Sequence, residues 1–298
     1  MESYIVSKEF GVPDLPIKFS KFPNGEIYLD ESYIDKIKRR KDDLVLVWFY
    51  KDNESLLELY FLSEYLKENS LMDKFLGLNI SYLPYSRMDR VPENKKNMFT
   101  LKYISKLINS MEFSSVKLNE VHSDVSLDLI NNSYNENITT KMFNKFIFDN
   151  IPDKDQLTVM FPDKGAYDRY EDTFNKYKTI YAGKVRNFDT GEITDLDIHG
   201  SEEITDNVII IDDISSRGTT FFKSAEKLSG LGYTNIYLIV AHAENVITDG
   251  FIFNPNYTRY INKVITTNTL LDTDRERVKL LINQDRLEVI DFKEIERV

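Results

Sequence analysis

The sequence has no cysteine among its 298 residues, which excludes disulfides, thiolate nucleophiles and cysteine-ligated zinc sites. It also lacks a long apolar run, because the longest, Leu44 to Tyr50, is far shorter than the roughly 20 residues of a membrane span. Its first residues show no basic-then-apolar signal pattern. We therefore expect a cytoplasmic protein with no membrane partner.

Basic residues are outnumbered, since 38 Lys and Arg stand against 49 Asp and Glu, for a formal net charge of −11. Proteins that bind a nucleic-acid backbone usually present a basic face, so this balance argues against a nucleic-acid partner. It still allows a local basic pocket for a phosphorylated small molecule. The nucleotide motifs G-x-x-x-x-G-K-[ST] and G-x-G-x-x-G are also absent.

Short apolar runs alternate with longer amphipathic stretches, which predicts an α/β fold with mainly parallel sheets flanked by helices. A polar, Asn-rich stretch over residues 131–156 predicts a junction between two domains, 1–150 and 151–298. The predicted strands cover residues 44–50, 79–84, 116–122, 157–161, 178–182, 208–211, 236–241, 263–267 and 287–292. The predicted helices cover residues 55–67, 100–110, 166–176 and 219–231.

Polar side chains gather directly after these predicted strands. In open α/β sheets, ligands bind outside the carboxyl ends of the strands, so these positions predict a ligand site. They include Arg87, Asp89, Arg90, His122, Asp163, Lys184, Arg186, Asp212, Asp213 and His242. Helix capping alone does not readily explain so many such placements in one chain. No particular role follows for His242.

The most specific pattern is VIIIDDISSRGTT, in which β-branched residues precede two acids, a Ser/Gly/Thr-rich turn and a helix. The turn offers N–H groups and hydroxyls at a helix N-terminus, where phosphate is favoured. Acids beside a phosphate would repel it unless they face ribose hydroxyls or Mg²⁺. A plain helix N-cap by Asp213 or Ser215 is the alternative.

The motif VIIIDDISSRGTT is similar to the signature of the type I phosphoribosyltransferase fold. Further segments resemble those of the ribose-phosphate pyrophosphokinase family. In the family's order, they are FPNGEI, YLPYSRMDR, NEVHSD, FPDKGAYDR, GKVR and VITTNT. The resemblance implies two related phosphoribosyltransferase-like domains, with an ATP side in 1–150 and a ribose-phosphate side in 151–298.

The activity implied by this resemblance is transfer of the β,γ-diphosphate of Mg-ATP to the anomeric hydroxyl of a ribose 5-phosphate group, with release of AMP. The resemblance also implies Mg²⁺ as cofactor. It implies self-association into a homodimer or hexamer, because two subunits would share the ATP site. Such a transfer depends on positioned cations and metal rather than on a dedicated base.

The same resemblance implies a role for each site residue. The ATP-binding residues would be Phe22, Asn24 and Glu26, which would reach the base from a neighbouring subunit, and Arg87, Met88, Asp89 and Arg90. The catalytic residues, closing over the transferring group, would be Lys184 and Arg186. The ribose phosphate would be bound by Asp212, Asp213, Ser215, Ser216, Arg217, Gly218, Thr219 and Thr220. The Mg²⁺ ligands would be His122, Asp163, Asp212 and Asp213.

The sugar-phosphate loop departs from the family pattern D-D-x-x-D-T-x-G-T, because Ser216 replaces an acid, Arg217 a threonine and Thr219 a glycine. The first two changes make the loop more positive by about two charges. A phosphodiester acceptor such as ADP-ribose would suit these changes, so ribose 5-phosphate and ADP-ribose are both open as acceptors. Two different functions also stay open, namely a catalytically inactive regulatory homologue and a phosphoribosyltransferase that consumes the activated sugar.

Overall fold

The computed structural model describes residues 2–8, 13–91, 96–186, 193–201 and 203–297, with the backbone alone for 184–186, 193–195 and 297. The chain divides into two compact units, Met1–Asn137 and Ile138–Val298. Each unit contains a mainly parallel sheet and helices, so the predicted α/β class is confirmed. Within the described part, no helix combines the length and the apolar character that a membrane span needs.

The first unit is built on one sheet and a separate hairpin. Its described elements are β1 (Tyr4–Ser7), β2 (Leu15–Pro16), β3 (Ser20–Lys21), β4 (Ile27–Tyr28), α1 (Ser32–Lys38), β5 (Leu44–Trp48), α2 (Asn53–Glu68), β6 (Phe75–Ile80), α3 (Thr100–Ser110), β7 (Val116–Asn119), α4 (Val125–Leu129) and β8 (Ser133–Glu136). The strand order is β2-β1-β5-β6-β7-β8, with β5 to β8 parallel and β1 antiparallel to β5. The hairpin pairs β3 with β4.

Local signals and burial together explain this unit. Helix α2 begins with a capping box, in which Asp52 Oδ1 accepts the Ser55 N–H at 2.9 Å and Ser55 Oγ accepts the Asp52 N–H at 3.2 Å. The centres of the strands are fully buried at Leu46, Leu78 and Leu118. Burial of each such side chain contributes about 1.5–3 kcal/mol. The core therefore fixes the strands whose carboxyl ends carry the predicted ligand loops.

The second unit contains a larger sheet with helices. Its described elements are α5 (Ile138–Asn150), β9 (Leu157–Phe161), α6 (Lys164–Phe174), β10 (Lys178–Arg186), β11 (Ile193–Gly200), β12 (Asn207–Ser215), α7 (Thr219–Leu231), β13 (Asn235–Ala243), β14 (Lys263–Thr267), α8 (Glu276–Asn283), β15 (Leu287–Ile290) and α9 (Phe292–Arg297). The strand order is β11-β10-β9-β12-β13-β14-β15, parallel except for the β10–β11 pair.

This order contains a topological switch point between β9 and β12. After β9 the chain builds β10 on one side, and it then places β12 on the other side of β9. In open α/β sheets the crevice outside the carboxyl ends of two such strands is where ligands bind. The switch point therefore marks the expected ligand edge of the second unit.

Helix α5 lies in the second unit, although the predicted junction at residue 150 placed it in the first domain. Residues 131–156, predicted to form a polar junction, contain β8 and α5. Apolar residues of α5 recur on one face, and Met142, Phe143 and Phe146 are buried. The helix packs against β12 and β13. The helix was not predicted because Asn-rich segments on both sides of it obscure its amphipathic pattern.

Other elements differ from the prediction for local reasons. Strand β6 begins at Phe75, whereas the predicted strand began at residue 79. The prediction missed the first residues because Gly77 interrupts the apolar pattern. A Cβ at Gly77 would lie 2.6 Å from the Ser115 carbonyl oxygen, so the strands approach each other too closely for a side chain. Elements that were not predicted are β1, β2, β3, β4, β8, β11, α1, α4, α5, α8 and α9.

Candidate active site

Two predicted ligand loops of the first unit meet at Asp89. The side chain of Asp89 lies in the YLPYSRMDR segment after β6, and its Oδ2 accepts a hydrogen bond from Ser123 Oγ at 2.8 Å. Ser123 follows the half-buried His122 in the NEVHSD segment after β7. Asp89 itself is 9% exposed. The carboxyl ends of two parallel neighbours thus bring both loops together, as the sheet topology predicts.

Both segments hold a residue other than glycine in the left-handed backbone region. Tyr85 has φ of 63° and Glu120 has φ of 56°. The Tyr85 hydroxyl donates to Asn53 Oδ1 at 2.6 Å, and the Glu120 N–H donates to the Glu136 carbonyl at 2.9 Å. Such conformations cost about 1–3 kcal/mol each, persist only where the surroundings fix them, and cluster at functional sites. At Tyr85 and Glu120 the two hydrogen bonds help to hold the segments in this conformation.

The neighbours of the buried Asp89 in the sequence are exposed, namely Arg87, Met88 and Arg90. Met88 is 42% exposed, and Arg90 Nε lies 3.7 Å from Asp89 Oδ1. An ion pair with so exposed a partner contributes little to stability. The two guanidinium groups are therefore placed where an anionic ligand could bind them, while their assignment to ATP stays a prediction.

The FPNGEI segment forms the turn between β3 and β4. The Phe22 N–H donates to the Glu26 carbonyl at 2.8 Å, and Asn24 Oδ1 accepts the Glu26 N–H at 3.2 Å. Gly25, with φ of 90°, closes this turn. The Phe22 ring is 52% exposed and lies 4.6 Å from the Tyr28 ring. An exposed aromatic ring suits the predicted contact with a base at another subunit, which stays a prediction.

The acids of the second unit lie at its switch point. Asp163 follows β9 and caps α6, because its Oδ1 accepts the Ala166 N–H at 3.0 Å. Asp212 and Asp213 lie inside β12, which extends to Ser215 instead of ending at residue 211 as predicted. The pairing of Asp212 with Val240 of β13 continues the ladder through the acids. The doublet is thus held on a strand, not on a turn.

Arg169 of α6 binds this acidic doublet, and sequence reasoning missed it. Its Nη1 lies 2.9 Å from Asp213 Oδ1 and 3.5 Å from Asp212 Oδ1. Burial, and then the charge of Asp213, raise the pKa of Asp212 well above its usual range. Burial opposes the charge of Arg169, but Asp213, Tyr170 and Asp212 together raise its pKa, so it stays cationic. The two carboxyl groups are held in a compact cluster by Arg169, and their oxygens can accept hydrogen bonds from hydroxyl groups.

The predicted phosphate loop runs from Ser215 into α7. Gly218 has φ of 72°, and a Cβ there would lie 2.5 Å from Ile252 Cδ1. Thr219 and Thr220 are the first, exposed residues of α7, at the positive end of the helix. The buried Ser215 Oγ has no hydrogen-bond partner among the described residues. The left-handed conformation of the loop therefore falls on Gly218. The next residue, Thr219, is already helical and does not need to be glycine.

Glu244 places a carboxylate beside this loop. Ser216 Oγ donates to Glu244 Oε2 at 2.7 Å, and the Glu244 N–H donates to the Ser215 carbonyl at 2.9 Å. The acid missing from position 216 is thus supplied in space by the residue after β13. The charge that a ligand would meet at this loop therefore depends on the carboxyl group of Glu244 as well as on the exposed Arg217.

The GKVR segment lies in a strand rather than in a loop after residue 182. Strand β10 continues through Lys184 and Arg186 and pairs antiparallel with β11, where Lys184 lies opposite Leu196. The side chains of both predicted catalytic residues, and residues 187–192, lie outside the described part of the chain. Their catalytic roles stay a prediction.

His242 is a buried member of a hydroxyl chain. Its Nδ1 lies 2.7 Å from Thr269 Oγ1, which lies 2.7 Å from Thr267 Oγ1, and Thr267 donates to the Ala241 carbonyl at 2.7 Å. Each hydroxyl has one hydrogen. Since Thr267 gives its hydrogen to the carbonyl, Thr269 donates to Thr267, and His242 Nδ1 donates to Thr269. The network therefore fixes Nδ1 of His242 as a protonated nitrogen that donates to Thr269.

The side chains that could ligate a metal suit a magnesium ion that is bound mainly by substrate. Among the described residues, no three His, Asp or Glu side chains converge on one point. Mg²⁺ commonly keeps several waters and is held by one or two carboxylates together with substrate phosphates. Asp163, Asp212 and Asp213 supply such carboxylates at one switch point of the second unit, whereas His122 belongs to the first unit.

Comparisons with known proteins agree over most of the chain, although no family model matches it. It is 26% identical over 271 residues to the ribose-phosphate pyrophosphokinase of Pyrococcus abyssi, covering 85% of this chain and 84% of the relative. It is 28% identical over 274 residues to that of Sulfolobus acidocaldarius, covering 85% and 84%. The solved phosphoribosylpyrophosphate synthetase from Mycobacterium smegmatis matches with a TM-score of 0.69 and 18% identity, covering 94% of this chain and 87% of that chain.

The fold and the acidic strand–loop–helix site define a two-unit protein of the type I phosphoribosyltransferase fold. The similarity to named relatives along most of their length confirms the recognition made from the motifs. The chain is similar in sequence to ribose-phosphate pyrophosphokinases along most of their length.

Proposed function

We propose that the protein is a diphosphotransferase that moves the β,γ-diphosphate of Mg-ATP to the anomeric hydroxyl of a ribose 5-phosphate group and releases AMP. The observation that carries the proposal is the acidic pair Asp212–Asp213 in β12, followed directly by the glycine-containing loop and the start of α7. Groups that accept hydrogen bonds from hydroxyls thus lie beside a loop that can bind phosphate, as a ribose 5-phosphate group requires.

In this proposal the residues of the second unit have distinct tasks. Asp212 and Asp213 would accept hydrogen bonds from the ribose hydroxyls, and the N–H groups at Thr219 and Thr220 would bind the 5-phosphate. Asp163 and the doublet would hold Mg²⁺, which when bound would neutralise charge on the phosphates of ATP. Positioning and charge neutralisation are the main contributions that phosphoryl transfer needs from a protein.

The ATP side of the proposal rests on the first unit. Arg87 and Arg90 are exposed cations at the edge where Asp89 and the His122 loop meet. Phe22 would contact the base from a neighbouring subunit, which makes a homodimer or hexamer part of the proposal. Light scattering should then report an oligomer, and Phe22→Ala should raise KM for ATP without changing KM for the acceptor.

The acceptor is either ribose 5-phosphate or ADP-ribose, and one observation favours the second as an extended acceptor. Beside Asp163, the half-buried rings of Tyr167 and Tyr181 lie 4.8 Å apart, with Lys164 Nζ 4.5 Å from the Tyr167 ring centre. The His199 ring stacks on Tyr181 at 5.0 Å. Partly exposed aromatic faces of this kind can stack on a nucleobase. The base of ADP-ribose would find such a surface here.

A time course followed by ³¹P NMR tests the proposal. Mg-ATP is supplied with ribose 5-phosphate or with ADP-ribose in separate samples, and AMP release with a new diphosphate ester identifies the acceptor. Product from neither sample would overturn the proposed function. Consumption of phosphoribosyl pyrophosphate with a free base, without ATP, would indicate a phosphoribosyltransferase, and assembly without turnover would indicate a regulatory homologue.

A further inference from the structure

The residue in question is Arg169, which lies across the switch point of the second unit. Asp163 follows β9 and is the N-cap of α6, and Arg169 stands six residues later on the same helix. The doublet that Arg169 contacts belongs to β12, the other strand of the switch point. One short helix therefore carries a candidate metal ligand at its start and a cation that reaches the sugar-binding acids.

The contact is partly buried and is shared between both acids. The Arg169 side chain is 22% exposed, and those of Asp213 and Asp212 are 5% and 20% exposed. Its guanidinium also lies 5.4 Å from the ring centre of Tyr170, which is fully buried. Two adjacent carboxylates in so enclosed a place repel each other unless a cation compensates them. Arg169 is a cation that lies within ion-pair distance of both acids.

We propose that Arg169 is a positioning residue of the acceptor site, which holds the Asp212 and Asp213 carboxylates in the arrangement that binds the ribose hydroxyls. By standing on α6, it also fixes that doublet relative to Asp163. The inference rests on the proposed function and adds to it a residue for acceptor binding. Arg169 acts through the acids and does not itself touch the sugar.

This role differs from that of a simple ion pair in its kinetic consequences. If Arg169 only stabilised the fold, its removal would lower the amount of folded enzyme and leave both KM values unchanged. If it positions the doublet, its removal raises KM for the acceptor far more than KM for Mg-ATP. The acids bind the acceptor's hydroxyls, whereas the predicted contacts of ATP include residues of the first unit.

The experiment compares Arg169→Met and Arg169→Lys with Arg259→Met. Lysine keeps the positive charge but lacks the planar guanidinium group, so Arg169→Lys should keep part of the acceptor binding. Arg259 is an exposed arginine of the same unit whose Nη2 donates to the Asn262 carbonyl at 2.9 Å, which makes it a matched control. We expect Arg169→Met to raise acceptor KM at least tenfold and ATP KM less than threefold, with Arg169→Lys between it and the wild type.

A second readout needs no turnover. Calorimetric titration of ribose 5-phosphate into each variant without ATP should show the same loss of acceptor affinity. If Arg169→Met does not fold, Arg169→Lys alone still gives the ratio of KM changes. Equal changes in both KM values, unchanged acceptor affinity, or no advantage of lysine over methionine would each overturn the inference.

Failure of the proposed function is distinguishable from failure of this inference. A wild-type protein that forms no diphosphorylated product from ribose 5-phosphate or ADP-ribose would overturn the former. An active wild type whose Arg169→Met variant keeps its acceptor KM would overturn only the latter.

Discussion

Ser216 donates a hydrogen bond to Glu244 across 2.7 Å, and this bond fixes a carboxylate beside the predicted phosphate loop. The Glu244 N–H also donates to the Ser215 carbonyl, so the backbone of Glu244 is tied to the loop as well. Glu244 is half-buried, which limits the screening of its charge by water. The charge that an incoming phosphate meets therefore depends on a residue outside the DDISSRGTT motif.

Glu244→Gln should strengthen binding of an acceptor with a phosphate monoester. Glutamine keeps an oxygen that accepts the Ser216 hydrogen bond, but it removes one negative charge near the loop. In a partly exposed site such a charge contributes on the order of 1 kcal/mol, so KM for ribose 5-phosphate should fall about fivefold. Steady-state kinetics at low and high salt measure this, and the effect should shrink at high salt.

The matched control for this variant is Glu226→Gln. Glu226 is an exposed carboxylate on α7, and its Oε1 accepts a hydrogen bond from the Tyr260 hydroxyl at 3.4 Å. Its replacement removes the same amount of negative charge from the protein. An equal fall in KM for both variants would show that overall charge, and not the position of Glu244, controls acceptor binding.

Gly250→Ala should destabilise the protein and weaken acceptor binding. A Cβ at Gly250 would overlap the carbonyl oxygen of Arg217, in the phosphate loop. Backbone must move to admit it, which costs about 1–3 kcal/mol in a well-packed site. Urea unfolding measures the stability, and titration with the acceptor measures the binding.

Gly230→Ala is the contrasting variant, because a Cβ there meets nothing within 4 Å and the residue lies in α7. Alanine has the better helix propensity, so this change should stabilise the protein by up to about 1 kcal/mol. A Gly250→Ala protein as stable as Gly230→Ala would contradict the close packing of the loop against Gly250.

The sequence allowed the edges of the candidate site to be predicted, because sheet topology decides where loops go. Asp89 and Asp163 lie in the segments that follow β6 and β9, and Asp212 lies in the last part of β12, all three being parallel strands. Strand and helix alternation is enough to predict that placement. Element bounds were less well predicted where a glycine or an acid interrupted an apolar run, as at Gly77 and in the acidic end of β12.

The partners of these acids could not be predicted in the same way. Arg169 is one charged residue on a helix with several others, and Glu244 follows a strand without any motif. Their contacts with Asp213 and Ser216 join residues that are 44 and 28 positions apart. Only the packing of α6 and β13 around β12 brings them together, and a single sequence carries no local signal of that packing.

Lys184→Ala should lower turnover by about 10²-fold or more, the order expected when a preorganised charge on the transition state is lost. Lys184 lies in β10 opposite Leu196, so we expect the strand to hold and the unfolding temperature to change little. Lys176→Ala, at an exposed position after α6, is the control. Turnover equal to that of the control would contradict a catalytic role for Lys184.

Glu58→Gln should raise stability at neutral pH and lose that advantage in acid. Glu58 lies on α2 and lines a small cavity of about 30 Å³ with Trp48, and burial raises the pKa of its carboxyl. Because the pKa of Glu58 is higher in the folded state, ionisation of its carboxyl lowers the free energy of unfolding. This loss begins above the ordinary glutamate pKa of about 4.3 and is complete above the folded-state pKa. Glutamine carries no such penalty.

Urea unfolding of both proteins between pH 4 and pH 8 checks this expectation. The gain in the free energy of unfolding should grow with pH through that window and then level off. Glu68→Gln, at an exposed position of the same helix, should show no such growth. A gain for Glu58→Gln that is the same at every pH would mean that amide packing, and not relief of a buried charge, causes it.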